Sequence, residues 1–166
     1  MVVCQKKQKQ VLPGELAVGD CWIVTTIATD SGLILSLRVG KHTDEFLAEL
    51  VRSTEGKTAC DQWRSDGWGA YERVLPEWVT LWVGKAGTQK IERTNGILRG
   101  QTGRWQRRQH KFGKVWEQTE VSARLIVSYF NWIWKNSWTK TTAAERAGLA
   151  IRAWSWDDFA IYSTLV

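Results

Sequence analysis

The chain has 166 residues, 43% of them hydrophobic and 24% charged, and a formal net charge of +6. That length and balance fit one globular domain with a proper core and exclude a disordered or fibrous chain. The densest apolar run, residues 125–134, is broken by Ser128 and Asn131 and falls far short of the roughly 20 residues of a membrane span, so the expectation is a soluble cytoplasmic protein with no membrane partner.

In chain order, Met1 is followed by a short apolar patch and KKQK, which does not read as a signal peptide. Residues 21–28 and 33–39 are rich in Ile, Val, Thr and Leu and flank Thr29-Asp30-Ser31-Gly32, which predicts an antiparallel hairpin. His42-Thr43-Asp44-Glu45 opens a helix to about Arg52, with Thr43 as N-cap and Phe46, Leu47 and Leu50 inward. Residues 60–65 form a short strand ending at Asp66. Gly67, Gly69 and Pro76 bracket a short helix carrying Tyr71 and Val74, and residues 78–83 form a last strand. A helix runs from Thr88 to about Arg99. Another spans 115–138, with Glu117, Glu120, Arg124, Ser128, Asn131 and Lys135 on its polar side. Thr142-Ala143-Ala144-Glu145 is a capping-box signature for a short final helix. Together these elements describe a mixed α/β domain.

Positive charge is concentrated in one place. Positions 93–116 hold seven cations (Arg93, Arg99, Arg104, Arg107, Arg108, Lys111 and Lys114) and no acid, so the rest of the chain sums to −1. Such a single-sign segment, interleaved with Trp105 and Phe112, suits a polyphosphate partner; solvated surface charge is the bland alternative. Glu92 stands at its head, and a carboxylate there is electrostatically odd unless a cation intervenes. The twelve Trp are either core and surface aromatics or, in part, base-stacking platforms. Cys4, Cys21 and Cys60 lack CxxC spacing and read as reduced thiols, Cys21 as a small core residue; with only His42 and His110 to help, no zinc site is expected.

Two-metal phosphoryl transfer needs carboxylates converging from separate elements on ions about 3.5–4 Å apart. Two acids suit that task. Asp66 sits at a strand end in SDGWG, where glycines permit close approach. Glu92 lies on a helix with Arg99 seven residues later on the same face, together with Gln89 and Gly96 and close to Asn95. The plainer readings are a turn or cap residue for Asp66 and a chance spacing for Glu92 and Arg99.

SDGWGAYERVLP, GKAGTQKIERTNGILRGQTGRW and RRQHKFGKVWE resemble the DDE transposases of the insertion sequence 1 family, cyanobacterial type. The likeness runs from about residue 2 to residue 150 and includes CWIVTTIATDSGLIL and YFNWIW. It implies a ribonuclease H-like mixed sheet flanked by helices, over residues 1–138, with a helical tail over 139–166. It also implies metal-dependent DNA cleavage and strand transfer at insertion-sequence ends by an Asp-Asp-Glu triad with Mg²⁺ or Mn²⁺. The family's second acid falls on Asp66 and its Glu on Glu92, both as metal ligands, and its trailing basic residue on Arg99. Arg93, Arg104, Arg107, Arg108, Lys111 and Lys114 would track the DNA backbone, and Trp105 would stack on a splayed base. The family's first Asp lies upstream of a stretch resembling VVCQKKQKQ. The resemblance thus implies that the first, central strand is largely missing here and that the chain is inactive alone. An intact form would act as a homo-oligomer on terminal inverted repeats and target DNA. Two rival readings are a non-catalytic DNA-binding fragment that interferes with an intact transposase, and a Trp-rich binding protein unrelated to DNA.

Overall fold

A computed structural model describes residues 2–4, 8–15, 18–103 and 115–164. Alternating β-branched residues build strands β2 (Gly19–Ile27) and β3 (Ile34–Gly40), paired antiparallel. The turn between them is closed by Gly32 N–H donating to the Ala28 carbonyl at 2.9 Å and Ala28 N–H to Leu33 at 2.8 Å. Strand β1 (Val2–Cys4) adds to the other side of β2 opposite Gly19–Cys21, giving the order β1-β2-β3. Among the described residues, positions 22–27 of β2 pair with β3 alone.

Helix α1 (Asp44–Glu55) follows as its cap predicts: the Thr43 hydroxyl accepts from Phe46 N–H at 3.3 Å. It buries Phe46, Leu47, Leu50, Val51 and Thr54, one stripe at helical spacing. Strand β4 (Gln62–Ser65), helix α2 (Ala70–Val74) and strand β5 (Thr80–Val83) form a compact crossover, with β4 and β5 parallel. Leu47, Leu50, Val51, Trp63 and Ala70 make the core of this half.

Helix α3 (Lys85–Thr102) starts directly after β5, earlier than the sequence alone suggested. Helix α4 (Trp116–Ser128) runs into a widened π-type turn, Tyr129–Ile133, and the chain leaves helical geometry at Trp134. The helix expected over 115–138 therefore stops short. The cause is Asn131, expected on the polar side but in fact buried. Its amide donates to the Ile34 carbonyl at 2.9 Å and its carbonyl accepts from Ile34 N–H at 3.0 Å. The widened turn places that side chain against β3. Val121 and Leu125 are correspondingly exposed. A second core joins Leu33, Ile34, Leu98, Phe130, Ala143 and Ala144. Its last two residues come from α5 (Ala143–Arg146), whose reciprocal capping box between Thr142 and Glu145 forms as the motif predicts. Helix α6 (Trp156–Thr164) closes the described chain. Cys21 is fully buried among Ile23, Val39 and Trp116. No helix is long and apolar enough to cross a membrane, among the described residues. The architecture is mixed α/β with small sheets.

Candidate active site

Asp66 occupies the residue after β4, at the carboxyl end of a parallel strand pair. Open α/β sheets bind ligands at that end, because side chains there point past the last ladder bond toward solvent. The β5–α3 junction arrives at the same place. Ser65 pairs with Val83, and Gly84 N–H donates to the Ser65 carbonyl at 3.1 Å. Asp66 is exposed. Ser65 is buried, and its hydroxyl has no hydrogen-bond partner among the described residues.

The turn carrying Asp66 is held from several sides. Gly67 has φ +89°, a conformation L side chains rarely adopt, and an added Cβ would lie 3.2 Å from Val83 Cγ1. Trp68 stacks on His42 with centroids 3.7 Å apart, and His42 meets Trp22 on β2 at 4.4 Å. Tyr71 packs edge-on against Trp68 at 5.7 Å. Arg73 donates from Nη1 to the Gly69 carbonyl at 3.0 Å and grips both Asp44 oxygens at 2.7 and 2.8 Å, tying the turn to the start of α1. That fork holds the Asp44 carboxyl below the usual range. Burial, and then the neighbouring Asp66 charge, push the Tyr71 hydroxyl up to about 12.

Glu92 and Arg99 are exposed on α3. Seven helical residues separate them by about 10 Å along the axis and about 20° around it, so they share a face. That face flanks the buried seam of Thr88, Thr94 and Leu98. Among the described residues Glu92 has one partner, a long 3.5 Å contact from the Thr88 hydroxyl. The helix itself is anchored at Gly87, where an added Cβ would lie 3.0 Å from Arg64 Cδ on β4, and by the Lys90 ammonium, which donates to the Thr29 carbonyl of the hairpin turn. Arg93 is exposed one residue round from Glu92, off the shared face. Arg104, Trp105, Arg107, Arg108, Lys111 and Lys114 lie outside the described residues.

Asp66 thus follows β4 and Glu92 lies on α3, two elements that pack together, with Arg99 two turns beyond Glu92 on the same helix. Among the described residues no three of His, Cys, Asp or Glu cluster closely enough to hold a metal ion. Sequence reasoning missed the Trp22–His42–Trp68 stack, whose members come from three distant points of the chain. It also missed Trp82, an indole 61% exposed on β5 one residue before Ser65's partner. Residues 1–135 match the family model described as IS1 transposase. The chain belongs to the IS1 transposase family. One relative is the insertion element iso-IS1n protein InsB of Shigella dysenteriae, 33% identical over 108 residues, which cover 65% of this chain and 79% of that protein. Membership of the IS1 transposase family supports a role in the transposition of insertion elements.

Proposed function

We propose that this IS1-family chain carries two of the three acids of a ribonuclease H-like DNA-cleaving and strand-transferring centre, within residues 1–138. The observation that supports the reading is that β4, which Asp66 follows, packs against α3, the helix bearing Glu92 and Arg99, and pairs in parallel with β5. The donor chemistry fits a hard divalent ion: two exposed carboxylates suit Mg²⁺ or Mn²⁺. When bound, such an ion neutralises charge building on a phosphodiester. Asp66 and Glu92 would hold it. Arg99 would orient a phosphate through its guanidinium fork. Arg93 and the segment with Arg104, Arg107, Arg108, Lys111 and Lys114 would follow the backbone of terminal-repeat and target DNA, and Trp105 would stack on a base. The intact assembly is a homo-oligomer in this reading.

Mn²⁺ binding followed by electron paramagnetic resonance, with DNA present, tests the site. Bound Mn²⁺ should be lost in Glu92→Gln and in Asp66→Asn while DNA binding persists. Undiminished Mn²⁺ binding in both variants would remove the assignment.

A further inference from the structure

The outer edge of β3 and the flank of α4 enclose a groove of about 240 Å³. It is lined by Ser36, Arg38, Lys57, Arg124 and Ser128, among others. Three cations from three separate segments therefore face one small space. Lys57 donates from Nζ to the Leu35 carbonyl at 2.7 Å and to the Ser36 hydroxyl at 3.3 Å, which fixes its position over the strand edge. Arg38 spends Nη1 on the Leu37 carbonyl at 3.1 Å, and its Nε lies 4.0 Å from Glu49 Oε2. Arg124 spends Nε and Nη2 on a single oxygen of Glu120, at 3.0 and 2.6 Å. Arg38 Nη2 and Arg124 Nη1 have no hydrogen bond to any described residue.

Charge balance points the same way. Partial burial pushes Lys57 below the usual lysine range, and the Arg38 and Arg124 charges push it further. Like charges held together at a cost, around a space too small for a large organic ligand, suit one compact anion. A phosphate group matches: it accepts from several N–H donors at once, and guanidinium forks present donors in that geometry.

We propose that the Arg38–Lys57–Arg124 groove binds a backbone phosphate of duplex DNA, a contact made on different elements from those carrying Asp66 and Glu92. The proposal rests on the DNA-binding reading above but not on its catalytic residues. A phosphate held there would help set the register of the duplex without reading its bases.

The test is fluorescence anisotropy of a labelled duplex titrated with the full chain across a range of salt concentrations. The proteins are wild type, Arg38→Gln/Lys57→Gln and Lys57→Arg, each first matched to wild type by circular dichroism and thermal melting. The double variant should bind several-fold more weakly, with the slope of log K against log[salt] smaller by about 1, the change for one lost phosphate contact. Lys57→Arg should keep both values near wild type. An unchanged slope in the folded double variant overturns the proposal while leaving DNA binding by the chain intact. A wild-type chain with no salt-dependent binding overturns the DNA reading itself and this proposal with it. A free nucleoside triphosphate, tried in place of the duplex, separates the other source of phosphate. If it binds more tightly than the duplex and the same variants abolish that binding, the groove is a nucleotide site and the DNA assignment falls.

Discussion

The two carboxylates are positioned by different means. Asp66 depends on groups far from it in sequence: Gly84 on one side, the Trp22–His42–Trp68 stack on another, and the Arg73–Asp44 fork behind. Glu92 depends on its own helix, whose regular spacing also delivers Arg99, and on the few contacts that fix that helix to β4 and the hairpin. A strand-end residue has no periodic scaffold, so its direction must be set by tertiary contacts, whereas a helix sets direction locally. Damage to the first core should therefore move Asp66 and leave Glu92 and Arg99 in their mutual arrangement.

The largest break comes from the core beneath Asp66. Leu50 is fully buried, and Leu50→Ala should lower unfolding free energy by about 2–5 kcal/mol, measured by urea denaturation. A loss below about 1 kcal/mol would mean that the site closes over the gap and that this half is looser than its packing indicates.

Tyr71 sharpens the comparison spectroscopically. It is one of three tyrosines, and its hydroxyl titrates at about 12 against an ordinary 10. The folded value is raised, so the protein gains stability from it below pH 10 and loses that gain as pH climbs from 10 to 12. Ultraviolet titration should show one late-ionising phenol, absent in Tyr71→Phe. In Asp66→Asn the same phenol should ionise somewhat earlier, because the neighbouring negative charge is gone. No movement on removing Asp66 would separate the two groups.

The smallest effect is expected at the exposed Asp44–Arg73 pair. Asp44 titrates below its ordinary 3.8, chiefly through the Arg73 hydrogen bonds. Its contribution is therefore present above that pH and lost as pH falls through the lower folded value. Wild type should exceed Asp44→Asn slightly in melting temperature at neutral pH, and the difference should vanish under strongly acidic conditions. A difference independent of pH would assign the effect to helix capping rather than to the ion pair.

Much of this was legible in the sequence wherever one residue's neighbours decide its structure. The hairpin followed from β-branched runs around a polar turn. The start of α1 followed from Thr43, and the start of α5 from Thr142 and Glu145. Asp66 at a strand end and the Glu92–Arg99 spacing could be read directly, because both are local. What the sequence hid depends on partners distant along the chain. Asn131 looked like one more polar residue on a helical face, and only its two bonds to Ile34, 97 positions away, show why the helix widens there. His42 read as a helix-entry residue, since nothing local announces indoles on both of its sides. The Arg38–Lys57–Arg124 groove was invisible for the same reason: its cations are scattered through segments of mixed charge, while the eye goes to the dense run after Arg93.

The amide of Asn131 has one more consequence. It occupies both hydrogen-bonding groups of Ile34 on the outer edge of β3, where another molecule's strand could otherwise begin to pair. A side chain acting as a counterfeit strand closes that one position to a pairing strand. The irregular turn in the helix thus also caps one residue of an otherwise open strand edge.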